Sequence, residues 1–440
     1  MRTSHERGLF ELYNDDHERA DAVIFGRRTG ASRRGFLRGA GLTAMMAALG
    51  TVIPFGRFMP GGLIPVALAQ TAPKLLKMDG KADGLVILGD RPLVAETPEH
   101  MLDDDVTPNN KFFIRNNGQI PDAPADGNAW ELTIDGEVNA PLKLKVGELM
   151  QRFPAVTLRL QLECGGNGRS FFQPTARGNQ WTNGGVGCAE WTGVRLGDVL
   201  KAAGVEPGAV YTGHFSADPH LSGDNTKQAI SRGLPIAKAI DGHTLLAYRM
   251  NGQPLPNIHG FPLRIVAPGY PGSASQKWLN RVWVRNEVHD GAGMGGTSYR
   301  LPKTPIVPGA DLKEADTNIM ESMPLRAIIT SPATNTRLTA GTRRLDLRGH
   351  AWAGERAVRA VDVSIDFGQT WSKAEVKAPA NKYAWQRWTA TVALPSKGYY
   401  EVWARGTDDA GTQQPFQAAG WNPQGYGSNP MHRIAVLVES

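Results

Sequence analysis

A cysteine at the end of an apolar run, set in a glycine-rich turn with an arginine close behind it, is the feature of this sequence best placed to do chemistry. Leu158 to Leu162 reads as a strand that runs into Glu163-Cys164-Gly165-Gly166-Asn167-Gly168-Arg169-Ser170. A thiol in such a turn should be exposed, and a guanidinium five residues on favours its thiolate, the form that attacks electrophiles and binds metals. Taken alone, a single cysteine is more often a small buried hydrophobe. The other cysteine, Cys188 in Gly187-Cys188-Ala189, reads that way. Two cysteines exclude a disulfide-rich scaffold, a four-cysteine zinc site and an iron–sulfur cluster held by this chain's thiolates alone. No Cys-x-x-Cys-His occurs, so the chain attaches no c-type haem, and electrons it handles must leave to another protein.

The elements that must position this turn fall into two parts. At 440 residues the chain has room for more than one core, and 51 Gly with 30 Pro describe a loop-rich globular protein. The net charge of +6 leans on basic residues in the first 60 positions, so a nucleic-acid partner is not expected. Residues 70–320 mix short apolar strands, such as Val156 to Leu162 and Leu263 to Val266, with helical pieces such as Leu196 to Ala203, an α+β pattern. After a proline-rich linker around Lys303 to Pro308 the character changes. In residues 321–440 Val361, Val363 and Ile365 alternate with polar residues, Asp366-Phe367-Gly368 makes a turn, and another strand covers Tyr399 to Trp403. Short strands at this spacing predict an immunoglobulin-like sandwich.

Residues 1–69 read as an export signal. Ser32-Arg33-Arg34-Gly35-Phe36-Leu37 is a twin arginine followed by an apolar run, and Ala67-Leu68-Ala69 offers a cleavage site. Pro54, Arg57 and Pro60 interrupt the run well short of the ~20 apolar residues a membrane span needs, so no span is expected in the mature form. The twin-arginine translocase carries folded proteins, which places the protein in the periplasm and predicts a complex bound cofactor.

Further motifs join the cysteine turn: Phe112-Phe113-Ile114-Arg115-Asn116-Asn117, Trp181, Met250-Asn251-Gly252, His259-Gly260-Phe261-Pro262-Leu263-Arg264 and Lys277-Trp278-Leu279. In order and spacing they resemble the sulfite oxidase family over roughly residues 95 to 440, the C-terminal part being similar to that family's dimerisation domain. The resemblance implies an α+β molybdopterin-binding domain, an immunoglobulin-like domain that makes a homodimer, and one molybdenum held by a pyranopterin dithiolene and a cysteine thiolate. Cys164 matches that metal ligand, and a soft thiolate suits a metal that changes oxidation state.

The same resemblance assigns Phe113, Arg115, Asn116 and Asn117 to the cofactor's surroundings. It makes His259, Arg264 and Lys277, with Ser275, the anchors of the pterin phosphate, for which fixed donors and positive charge are needed. Asp218 is matched to the pterin amino end, with Asp224 as its rival. Arg115 and Arg169 match the family's pocket arginines, whose planar forks pair two oxygens of sulfite at once, and Tyr299 matches its active-site tyrosine. Two positions depart from the animal members: Gln424, in Trp421-Asn422-Pro423-Gln424-Gly425, where they have arginine, and Asn117, where they have histidine.

What the resemblance implies is oxidation of sulfite to sulfate, with a separate periplasmic c-type cytochrome as acceptor. The rivals are a sulfane dehydrogenase of a thiosulfate-oxidising complex, a molybdopterin-dependent reductase of oxidised methionine, and a non-catalytic periplasmic binding protein.

Overall fold

The computed structural model describes residues 73–439 together with Asp16 and Arg19. The twin-arginine segment and its cleavage site, within the signal expected over residues 1–69, lie outside the described residues.

The first part is built on two five-stranded sheets. In one, Ala155–Glu163 pairs antiparallel with Val186–Arg195 along its whole length, and Val186–Arg195 pairs with Leu245–Met250, which also carries Gln253–Pro254 and Arg264–Val266. In the other, Leu279–Arg285 lies between a parallel neighbour, Glu131–Gly136, and an antiparallel one, Tyr211–Ser216; Leu142–Lys145 and Gly233–Pro235 are its edges. A smaller sheet joins Val86–Asp90, Leu93–Glu96 and Ile114–Arg115. Strand is the main element and helices are short. Leu196–Ala203, where a helix is predicted, buries Leu196, Val199, Leu200 and Ala203 on one face and stops at Gly204, which takes φ 68°.

The burial of Ala155–Glu163 explains where its end goes. It begins half exposed and is wholly buried from Leu160 to Glu163, so the strand runs from the surface inward and delivers Cys164 to the interior. Leu160 and Leu162 pack there with Phe112, Trp181 and Trp191.

Two sheets face each other in the second part. Arg326–Ser331, Arg344–Trp352, Gln386–Ala393 and Glu375–Val376 form one; Thr336–Leu338, His432–Val438, Gly398–Asp408, Val358–Ser364 and Ser372–Lys373 form the other. Alternate residues point inward, as the period of two requires: Leu345 and Leu347 from one sheet meet Val361, Val363, Val402 and Val436 from the other.

The two parts are fastened through the residue before Cys164. Glu163 and Arg326 are both fully buried and pair at 2.6 Å. Trp352 Nε1 donates to the other Glu163 oxygen at 2.7 Å, and Asn167 Nδ2 donates at 2.9 Å. Arg326 also donates to the carbonyls of Asn167 and Ser428. Gly168 sits under this guanidinium with φ 80°, and a Cβ there would lie 2.6 Å from it, so no other residue fits. Removing one partner of such a pair leaves a bare buried charge. Arg326→Met should therefore lose about 3–5 kcal/mol in denaturant unfolding, with Glu163→Leu/Arg326→Met recovering most of it.

Candidate active site

The strand end, the loops around it and segments distant in sequence line one cleft. Phe113, Arg115, Asn117, Cys164, Asp218, His259, Arg264, Ser275, Lys277 and Tyr299 all line it. Asn116 does not: it is buried beside the cleft, where its side-chain oxygen accepts from Lys277 and its Nδ2 donates to Leu93 O at 3.2 Å. Asp218 lies in the wall, accepting from Gly118 N–H at 3.2 Å and Ser216 Oγ at 2.5 Å, whereas Asp224, outside the cleft lining and half-buried, caps a local turn through Thr226.

Two expectations about the cysteine turn are corrected. Cys164 is not exposed but 6% accessible, because the segment 422–428 of the second part lies over the loop, Gly427 N–H donating to Gly165 O at 3.1 Å. Arg169 does not line the cleft. Its guanidinium folds back under Gly166 and donates to Gln424 O at 2.7 Å and Asn179 O at 2.8 Å. Cys188 is buried between the two parts, in no disulfide, and burial pushes its thiol up to about 12.

One wall is a nest of cations. The turn Asn257–His259 ends at Gly260, whose φ of 107° lets the chain bend back against Lys277. Arg264, the first residue of its strand, braces both flanks by donating to His259 O at 2.8 Å and Ser275 O at 2.9 Å. Lys277 donates to Ile258 O at 2.9 Å and lies over the Trp278 ring. Lys81, which no sequence signal marks, comes from the N-terminal loop to within 2.6 Å of His259 Nε2, also donating to the carbonyls of Asn109 and Phe112.

Burial holds every one of these groups below its ordinary value, Arg264 down to about 9 and Lys81 to about 7, and for His259 and Lys277, both well below, repulsion from the neighbouring cations adds to it. Asp218 is the acid facing them in the cleft, and burial raises it. Ser273 Oγ and Gln276 Oε1, in the same wall, are buried without a hydrogen-bond partner. Both belong to the run Gly272-Ser273-Ala274-Ser275-Gln276-Lys277, whose density of polar side chains between two apolar strands is the signal that would have found them. Paired donors, excess positive charge and orphaned polar atoms together ask for a polar polyanion, while a thiol stands in another part of the wall.

Residues 117–292 match the oxidoreductase molybdopterin-binding domain, and residues 317–439 the Mo-co oxidoreductase dimerisation domain. The chain is 34% identical to mitochondrial sulfite oxidase of Rattus norvegicus over 80% of its length and 66% of the relative's, and 33% identical to that of Homo sapiens over 84% and 70%. The chain belongs to the sulfite oxidase family. Its fold is also similar to that of the sulfane dehydrogenase SoxCD from Paracoccus pantotrophus, with a TM-score of 0.67 at 23% identity, covering 96% of this chain and 99% of that one.

The cofactor of the sulfite oxidase family, molybdenum–molybdopterin, fits the donor set. Cys164 would supply the soft thiolate. His259, Arg264 and Lys277, with the unpartnered Ser273 and Gln276, would hold the anionic, hydrogen-bonding pterin.

A pH dependence follows from the cation nest. In the unfolded chain Lys81 stays protonated to about 10.5, in the folded chain only to about 7, so between these values the unfolded state binds more protons and stability rises with pH. Cofactor-free protein should unfold at a higher temperature at pH 9 than at pH 7.5, and added phosphate should narrow the gap. Lys277→Met should raise the stability of cofactor-free protein by about 1 kcal/mol or more while abolishing molybdenum retention. A variant that lost stability and kept its metal would contradict the anchoring role.

Proposed function

We propose that the chain oxidises sulfite to sulfate in the periplasm, after export in folded form by the twin-arginine route, and passes the electrons singly to a separate c-type cytochrome. The observation that carries this is the meeting, in one cleft, of Cys164 with Arg115, Tyr299 and the cations that would hold the pterin. Identity of about a third to sulfite oxidases over most of the chain supports it.

When bound, the cofactor supplies two-electron oxygen-atom transfer to sulfur. The chain's own residues supply place and charge. Arg115, fixed by the pairing of Ile114–Arg115 with Val94 and Ala95, holds the oxyanion by its guanidinium. At an effective dielectric of 20, one such pair at 4 Å is worth about 4 kcal/mol before dehydration of the anion is subtracted. Tyr299 directs its hydroxyl, a donor and an acceptor, to the reacting oxygen. The aromatic wall of Phe112, Phe113 and Trp181 keeps water from the thiolate side.

The second part is read as immunoglobulin-like. Its two strand orders follow the pattern of that fold, and Tyr400, early in Gly398–Asp408, donates to Ser396 O at 2.8 Å as a tyrosine corner does. Through this domain the protein forms a homodimer.

A sulfane dehydrogenase is the second reading. With Arg169 turned away and Gln424 uncharged, the cleft offers an oxyanion fewer guanidinium groups than the family pattern predicts, which suits a less charged sulfur substrate. Sulfite-dependent reduction of cytochrome c or ferricyanide by protein exported with its own signal decides between them. Robust turnover, lost in Cys164→Ser, is expected. No turnover despite one molybdenum per chain would move the assignment to sulfane sulfur.

A further inference from the structure

Tyr299 adopts φ 49°, in the left-handed region that a bulky residue rarely enters. Such a conformation persists only where the surroundings hold it. The holding group is Tyr426, from the second domain. Its ring stacks on Tyr299 with centroids 4.8 Å apart and planes at 17°. Asn422 fixes Tyr426 in turn, accepting from its N–H at 3.0 Å and donating to its carbonyl at 2.9 Å.

Each ring of this pair has a guanidinium over it. Arg169 lies 5.5 Å from the Tyr426 centroid, and Arg232 4.6 Å from that of Tyr299. Arg232 is 2% exposed, its Nε has no hydrogen-bond partner, and no carboxylate pairs with it among the described residues. A buried cation without a counter-charge is costly; Arg232 donates to Gly293 O at 2.6 Å and to Met294 Sδ at 3.0 Å, and the negative face of Tyr299 adds to that compensation. Arg169 has its hydrogen bonds on backbone carbonyls, away from the cleft.

We propose that Tyr426 is a positioning residue for Tyr299, and that Arg169 acts through Tyr426 rather than on the bound anion. The stack of Arg232, Tyr299, Tyr426 and Arg169 sets where the Tyr299 hydroxyl meets the substrate. This rests on the reading of Tyr299 as a substrate-facing group, and it gives the second domain a part in the chemistry of the first.

The test compares holoenzymes carrying Tyr426→Ala, Tyr426→Phe and Arg169→Met, by steady-state sulfite kinetics and by crystal structure. Misplacement of a reacting group should lower kcat/KM about tenfold or more in Tyr426→Ala, with the Tyr299 ring displaced, while Tyr426→Phe keeps the ring in place and stays within about threefold. Arg169→Met should lower kcat as Tyr426→Ala does; a direct anion contact would raise KM with kcat unchanged. The proposal is overturned if Tyr299 does not move in Tyr426→Ala, if Tyr426→Phe is as damaging as Tyr426→Ala, or if Arg169→Met affects KM alone. Tyr426→Leu takes the place of the alanine variant should that fail to accumulate. If the unaltered holoenzyme does not turn over sulfite, the functional reading falls, and the crystal structures still decide the stack.

Discussion

The ion pair between Glu163 and Arg326 is the interaction on which the rest of the molecule turns. It is fully buried and joins the last residue of the strand that delivers Cys164 to the first strand of the second domain. A charge pair so far from water is retained at a cost in desolvation that apolar packing would avoid. What it gives here is geometry. The cysteine turn is held from before by Glu163, from beneath by Arg326 on Asn167 O, and from above by the Gly427 N–H on Gly165 O. The thiol is thus held from two domains at once, while the residues that line the cleft come from the first.

Against this rigid frame stands a cleft wall that is poorly satisfied by the protein itself. Burial strips His259, Arg264, Lys277 and Lys81 of water and lowers the proton affinity of each, and for His259 and Lys277 the neighbouring cations lower it further. The protein tolerates the strain because the cofactor resolves it. Packing elsewhere stabilises the fold, and the wall is kept in the form the ligand needs before the ligand arrives, which is what preorganisation requires.

The sequence was most legible where a local pattern and its burial agree. The strand running into Cys164 and the helix Leu196–Ala203 follow from periodicity, and alternating apolar residues mark the second domain's core. Most of the motifs that carry the family resemblance converge on one cleft, brought together by the sheets, while Trp181 and Met250-Asn251-Gly252 lie outside its lining. What was not legible depends on partners remote in sequence. Lys81 stands in an unremarkable loop and acquires meaning only beside His259. Arg169 follows the cysteine turn closely enough to suggest the cleft, yet its direction is chosen by carbonyls of residues 179 and 424. The accessibility of Cys164 was misjudged for the same reason, because the covering segment lies at the far end of the chain.

That covering segment also constrains biosynthesis. Gly165 and Gly427 are about 260 residues apart, and a ribosome adding 5–20 residues per second needs roughly 13 to 50 s to pass from one to the other. From the synthesis of Lys277 until the end of that interval the emerging first domain has a cation wall and a thiol but no roof, since residues 422–428 do not yet exist. The cover over the cysteine turn is therefore added only when synthesis is all but finished, long after the residues that line the cleft have been made.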